Sequence, residues 1–137
     1  MICYMLDTDI CSYIIREKPL KVFERFEELE MGQLHISVIT YAELIYGVEH
    51  SSSKKINRPL VDDFVRHLSI MAWDKEAAEH YGNIRAFLRV EGNMIGSMDM
   101  MIAAHTRSQK MILVTNNEKH FKRVPKLKIE NWTDESK

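Results

Sequence analysis

The sequence predicts an α/β fold, a three-layer α/β/α sandwich with a mainly parallel central sheet. Short, wholly apolar runs, clearest at residues 2–6 and 111–115, are typical of strands that are buried on both faces. Between such runs, apolar residues recur at helical spacing, and strands that alternate with helices favour a parallel sheet. With 137 residues, of which 45% are hydrophobic, the chain is expected to form a single domain over residues 1–137.

The first strand, residues 2–6, is expected to lead into two helices. Asp9 can cap the first of these helices, which runs to about Glu17. Pro19 opens the second helix, in which apolar residues repeat at helical spacing until Gly32 ends it.

A second strand at residues 34–37 is followed without a gap by a third helix. One face of this helix carries an apolar stripe formed by Tyr41, Leu44, Ile45 and Val48. Residues 50–59 have no apolar periodicity, so they are predicted to form a mobile loop within the domain.

The second half of the chain predicts three helices and three strands. Helices are expected at about residues 60–68, 76–91 and 98–108, and the segment SIMAW forms a short strand between the first two. Residues 111–115 form a buried strand, and the segment KLKIENW supplies a last edge strand. The buried side of the helix at 98–108 is expected to carry Met98, Met101, Ile102 and His105.

Composition excludes several classes of protein. The formal net charge is -1 and the isoelectric point about 6.6, so overall charge gives no reason to expect binding to nucleic acid or to a membrane surface. Cys3 and Cys11 are too few for a disulfide framework, and no apolar run is long enough to span a bilayer. A cytoplasmic protein with reduced cysteines is therefore expected. Residues 105–128 carry seven basic residues against one acid, which permits a basic rim beside an acidic pocket.

Three carboxylates follow elements that should meet at one edge of the sheet. Asp7 comes directly after the first strand, Glu43 lies early in the helix after the second, and Asp99 falls in a first helical turn capped by Ser97. Each acid alone is explained by capping, by the helix dipole or by solvation. Together they would repel one another unless a cation neutralised them, and Mg2+ or Mn2+ prefers oxygen ligands. Such a site can activate water against a phosphodiester, which predicts a nuclease or phosphodiesterase.

Two other functions are compatible with these residues. The segment LDTDI also satisfies the pattern D-x-D after a first strand, as in haloacid-dehalogenase-like phosphatases, with Asp7 as nucleophile and Asp9 as acid/base. That chemistry needs further acids after a late strand, where this chain has the segment VTNN. The other possibility is a catalytically silent binding module, which would have no reason to keep three such acids together.

Four motifs in order resemble those of the VapC-type PIN-domain toxins, the ribonuclease half of bacterial type II toxin–antitoxin pairs. They lie in the segments MLDTDI, ISVITYAELIYGVEHS, IGSMD and VTNNEKHF, and the resemblance covers nearly the whole chain. It implies a PIN domain and an endoribonuclease that depends on Mg2+, with Mn2+ as a substitute. Asp7, Glu43 and Asp99 match the catalytic acids; Asp7 and Asp99 would be the main metal ligands, and Glu43 would bind metal directly or through water.

The resemblance also implies a substrate and partners. Similar toxins cut a tRNA, with initiator tRNA cut in its anticodon stem-loop, and thereby inhibit translation and growth. A VapB antitoxin would wrap the toxin with its C-terminal tail and place a basic side chain in the acidic pocket. The complex would bind operator DNA through the antitoxin, and the toxin would form a homodimer within a larger assembly.

This chain departs from the family pattern at three positions. Asp9 replaces a more usual Asn, Asn117 stands where an Asp is frequent, and His120 stands where relatives with the Asn pair often have Glu. The sequence leaves open whether Asp9, Glu118 or His120 takes part in the site. The secondary residues, expected near the substrate or the metal shell, are Thr8, Asp9, Thr115, Asn116 and Asn117.

Overall fold

The computed structural model describes residues 1–133 and contains one five-stranded sheet. The strand order is β3-β2-β1-β4-β5, and every neighbouring pair is parallel. The prediction of a mainly parallel sheet is confirmed. The strands are β1 (Tyr4–Leu6), β2 (Leu34–Ser37), β3 (Ser69–Met71), β4 (Ile112–Val114) and β5 (Lys128–Glu130).

Helices cover both faces of this sheet, which confirms the three-layer architecture. One buried core lies under the first four helices and a second lies under the last three. Strand β1 separates the two cores, because Tyr4 and Leu6 pack into the first and Met5 into the second. The helices are α1 (Thr8–Arg16), α2 (Leu20–Glu28), α3 (Val38–His50), α4 (Lys54–Val65), α5 (Lys75–Glu91), α6 (Ser97–Ser108) and α7 (Glu118–Phe121).

The expected cap of α1 was wrong by two residues. Asp7, not Asp9, is the N-cap, and its carboxylate accepts a hydrogen bond of 3.0 Å from the Ile10 N–H. Only Asp7 lies between the end of β1 and the start of α1, so the first acid of the LDTDI segment already holds the capping position. Asp9 instead lies exposed in the first helical turn.

The predicted loop at residues 50–59 is correct only for residues 51–53. Helix α4 begins at Lys54 and contains Pro59. Its apolar residues Ile56 and Leu60 are exposed, and only Val61 and Phe64 are buried. The first turns therefore carry no apolar stripe from which a helix could be predicted.

Two predictions for α6 need correction. Gly96 is its N-cap, not Ser97, and no side chain caps the helix. Met98 is exposed rather than buried, and Met100 is buried instead. His105 is fully buried, as its place on the predicted buried side requires. This helix packs between the sheet and α5, so its buried face is wider than one stripe.

Candidate active site

The carboxyl ends of the central strands bring polar residues from distant parts of the sequence together. Asp7 follows β1, and Thr115 follows the neighbouring strand β4; the Asp7 N–H donates to the Val114 carbonyl at 3.0 Å. Helix α3 starts directly after β2, on the other side of β1, and carries Glu43 in its second turn. The edge where ligands bind in parallel sheets is thus the edge that carries these acids.

Asp7 is buried at this edge, with a relative exposure of 5%. Burial raises the pKa of its carboxyl to about 7, and the nearby charges of Asp9 and Asp99 raise it further, whereas hydrogen bonds from the Thr115 side chain and the Ile10 N–H oppose the rise. At neutral pH the carboxyl therefore binds a proton about half the time, and a bound cation would displace that proton.

Glu43 is tied to the start of α1. The Thr8 hydroxyl donates to Glu43 Oε1 at 2.5 Å, so this part-buried bond joins the helices that follow β1 and β2. One carboxylate oxygen of Glu43 is thereby oriented by a neutral donor.

Asp99 lies half-buried in the first turn of α6. Burial raises the pKa of its carboxyl, and the charges of Glu43 and Asp9 raise it as well, whereas His120 lowers it. The acids predicted from the sequence are therefore close enough to affect one another electrostatically, although they come from three separate elements.

The acids form an open group, not a preformed cage. Within residues 1–133, no three side chains of His, Cys, Asp or Glu lie close enough together to hold one metal ion. This arrangement still fits Mg2+, which prefers oxygen ligands, keeps several water molecules and is commonly held by one or two carboxylates together with substrate phosphate.

A buried hydrogen bond joins the helices that carry Glu43 and Asp99. His105 of α6 is fully buried, and its Nδ1 lies 2.8 Å from the Oγ of Ser37. Ser37 is the N-cap of α3, where its Oγ accepts from the Ile39 N–H at 3.1 Å. Burial lowers the pKa of His105, which favours its neutral imidazole. The start of α3 is thereby fixed to the last turn of α6.

A comparison with protein-family models decides the family. The model described as "PIN domain" matches residues 4–127. This chain belongs to the PIN domain family.

Similar proteins narrow the assignment to the VapC group of PIN domains, as the motifs predicted. "Ribonuclease VapC2" of Haemophilus influenzae is 44% identical over 132 residues, which are 96% of this chain and 99% of that protein. "tRNA(fMet)-specific endonuclease VapC" of Shigella flexneri is 44% identical over 133 residues, 97% of this chain and 100% of that protein. Among solved structures, VapBC2 from Rickettsia felis, bound to a DNA fragment from its promoter, matches with a TM-score of 0.90 and 39% identity over 96% of this chain and 99% of that chain.

The secondary residues of this PIN domain occupy different places. The Thr8 hydroxyl forms a hydrogen bond with Glu43. The buried Thr115 side chain forms a hydrogen bond with Asp7, and its Oγ1 also accepts from the Asn117 N–H at 2.9 Å. Thr8 and Thr115 therefore orient the acids directly, whereas Asp9 acts on them only through its charge.

The two asparagines after β4 make bonds to other groups. Asn116 donates to the Tyr13 hydroxyl at 3.2 Å, and its Oδ1 accepts from Asn131 and Thr133 at 3.2 and 2.9 Å. Asn117 Nδ2 lies 2.9 Å from His120 Nδ1. Asn116 thus holds the segment after β5 against the end of β4.

Sequence reasoning about this PIN domain missed Tyr13 and Arg16. Both lie on α1 on the side of Asp9, at positions i+4 and i+7 from it, and they line a groove that reaches Thr8 and Glu43. The helical spacing from Asp9 was the signal that could have identified them.

Proposed function

We propose that this chain is a toxin of the VapC type, a metal-dependent endoribonuclease that inhibits translation and growth by cleaving tRNA. The observation that supports the proposal best is the buried Asp7 carboxyl, whose pKa is raised to about 7 beside two other acids. Carboxylates in such surroundings need a cation, and the relatives at 44% identity are named as nucleases.

The catalytic acids are Asp7, Glu43 and Asp99. Asp7 is held by the end of β1, by the Ile10 N–H and by Thr115, so its carboxylate has little freedom. Glu43 is oriented by Thr8. Asp7 and Asp99 would be the main ligands of Mg2+ or Mn2+ at this edge, with water and substrate phosphate completing the shell, and Glu43 would act through water or bind directly once the ion draws the side chains together. When bound, such an ion lowers the pKa of a water molecule and stabilises charge that develops on a phosphate.

The substrate and the partners are inferred from the relatives. The Shigella flexneri protein is named for tRNA(fMet), and the Rickettsia felis protein was solved as a VapBC complex on promoter DNA. By analogy, this chain cleaves initiator tRNA in the anticodon stem-loop, in the cytoplasm. A VapB-type antitoxin neutralises it, and a homodimer within the larger complex binds operator DNA through the antitoxin.

The phosphatase alternative is less well supported. Its proposed acid/base, Asp9, lies exposed in the first turn of α1, and the positions directly after β4, where that chemistry needs further acids, hold Thr115, Asn116 and Asn117. The PIN domain match over residues 4–127 also favours phosphodiester cleavage.

The experiment is cleavage of purified initiator tRNA, with and without Mg2+, followed by mapping of the fragment ends. Asp99→Asn should reduce the rate about 100-fold or more, because it removes a carboxylate from the acidic group. Asp63→Asn, which changes an exposed acid on α4, is the matched control and should cleave normally. Normal cleavage by Asp99→Asn, or undiminished cleavage in EDTA, would contradict the proposal.

A further inference from the structure

A groove of about 560 Å3 leaves the carboxylate edge between α1, α3 and α4. Thr8, Asp9 and Glu43 line the end that meets the proposed metal site. From Thr8, α1 continues for eight residues to Arg16, which is about 12 Å of helix. The groove therefore extends beyond the place where the scissile phosphate would lie.

The charge of this groove changes sign along α1. Asp9, Tyr13 and Arg16 form one row at helical spacing, with the acid at the catalytic end and the guanidinium at the far end. Arg16 Nε donates to the Ser12 carbonyl at 3.4 Å, and no carboxylate of residues 1–133 forms an ion pair with Arg16. Its positive charge is thus available to an anion in the groove.

Tyr13 supplies an aromatic ring that is fixed in position. The Arg16 guanidinium lies 5.4 Å from the centre of the Tyr13 ring, and the hydroxyl accepts the hydrogen bond from Asn116 at 3.2 Å. Unpaired bases stack on aromatic rings and on guanidinium groups of this kind.

We propose that this groove binds single-stranded RNA beside the cleavage site, with a backbone phosphate at Arg16 and a base stacked on the pair formed by Tyr13 and Arg16. The inference rests on the proposed ribonuclease function and adds to it the path of the strand. An unpaired segment fits this site because the bases of a duplex are not free to stack on side chains. An uncompensated guanidinium favours a polyanion over a peptide as the occupant.

Gly47 of α3 offers a direct way to fill the groove. It lines the groove, and a Cβ atom at this position would meet no other atom within 4 Å. The Cβ of Gly47→Trp should therefore be accommodated, and its indole ring should fill the groove. Gly82 of α5 is equally open and lies outside the groove, so Gly82→Trp is the matched control.

Arg16→Gln tests the phosphate contact separately. Its control is Arg66→Gln. Arg66 is exposed at the end of α4 that leads into β3, so it lies near the amino-terminal ends of the strands, away from the carboxylate edge. Tyr13→Leu tests stacking, since it removes the ring and keeps an apolar side chain.

The measurement is the affinity for a labelled anticodon stem-loop of initiator tRNA, determined by fluorescence anisotropy in Mg2+ on an Asp99→Asn background, in which cleavage should be too slow to consume the RNA during the titration. Gly47→Trp and Tyr13→Leu should each weaken binding about tenfold. Arg16→Gln should weaken it too and should reduce the slope of log affinity against log salt by about 0.7. The two controls should bind as the parent does.

Unchanged RNA affinity in both Gly47→Trp and Arg16→Gln would overturn the proposal while leaving ribonuclease function intact. Loss of antitoxin binding without loss of RNA binding in Gly47→Trp would overturn it as well, because the groove would then be a protein site. A wild-type chain that neither binds nor cleaves the RNA would instead reject the ribonuclease function itself. Thermal unfolding shows whether Gly47→Trp is folded, and the exposed Arg16→Gln variant tests the site without that risk.

Discussion

Two regions of this PIN domain withdraw a charged group from water, Arg107 in part and Asp7 almost completely, and the surroundings of the two groups differ. On the side of α5 and α6, the Arg107 guanidinium donates to His80 Nδ1, the Pro125 carbonyl and Asn83 Oδ1 at 2.8, 3.0 and 2.7 Å. At the carboxylate edge, Asp7 has two donors but also lies among other acids. Burial lowers the pKa of Arg107 and raises that of Asp7, so both groups are desolvated.

The difference lies in what the protein supplies to each charge. Neutral acceptors surround Arg107, so its charge is accommodated by the fold. Additional negative charges surround Asp7, so its charge is left for something else to neutralise. A desolvated charged group therefore indicates a functional site when its neighbours carry charge of the same sign. It indicates structural packing when its neighbours are hydrogen-bond partners that stabilise the charge.

The largest expected effect is a dependence of stability on pH that comes from Asp7. The folded-state pKa of about 7 exceeds the ordinary value of 3.8, so the folded state binds the proton more tightly than the unfolded state does. Without metal, the free energy of unfolding should fall by about 4 kcal/mol as the pH rises from about 4 to 8, and it should level off above the folded pKa. Asp7→Asn should remove most of that fall, since Asn caps a helix as well as Asp does. Urea unfolding in EDTA at several pH values measures the effect; equal pH dependence in both proteins would contradict it.

Arg107→Met tests the other region. It leaves three acceptors without their donor, and because these are part-buried or exposed, water can replace part of the loss, so the free energy of unfolding should fall by about 1–2 kcal/mol. Cleavage of tRNA by the folded variant should stay at the wild-type rate, because Arg107 packs in the layer of α5 and α6, away from the groove. A loss of cleavage at a temperature where the variant is fully folded would show that the two regions are not separate.

Ser37→Ala tests how the carboxylate edge is held. It removes the N-cap of α3 and the partner of His105, and it should reduce the free energy of unfolding by about 1–2 kcal/mol. It should also weaken Mn2+ binding, because α3 and α6 carry Glu43 and Asp99. Ser53→Ala is the control: Ser53 is the N-cap residue of α4 but makes no side-chain capping bond. Unchanged Mn2+ affinity in Ser37→Ala would remove His105 and Ser37 from the support of the site.

The smallest effect is expected from Asp9→Asn. Asp9 is exposed and raises the pKa values of Asp7 and Asp99 through its charge alone. Its removal should lower both pKa values, destabilise α1 by a few tenths of a kcal/mol through the helix dipole, and leave cleavage within about threefold of wild type. A pH–rate profile compared with wild type measures this; a loss of about 100-fold would make Asp9 a member of the site.

The sequence predicted most of the fold because its signals are local. Wholly apolar runs identified β1 and β4, and helical spacing identified α3 and α5. The loop predicted at 50–59 failed because the first turns of α4 bury almost nothing, which leaves no pattern to detect. The cap was misplaced because LDTDI offers two acids, and only the length of β1 decides which of them begins the helix.

The positions of Asp7 and Glu43 were predictable because they follow strands, and parallel strands align their carboxyl ends whatever the strand order. Asp99 begins a helix that follows another helix, so its place at this edge depends on how α6 packs against the sheet. The contacts that orient the acids were not predictable. The bond between Thr8 and Glu43 spans 35 positions, and that between Ser37 and His105 spans 68. Such pairs depend on the angles between helices, which packing of the whole core determines.

The central claim is that the acids around Asp7 require a divalent cation, and proton release on metal binding tests it most directly. Mn2+ should be titrated into the purified chain at pH 7 by calorimetry, in buffers of different ionisation enthalpy. Because the pKa of Asp7 is raised to about 7, each bound ion should displace about half a proton, and Asp7→Asn should abolish that release. Absence of Mn2+ binding, or binding with no proton released, would contradict the account.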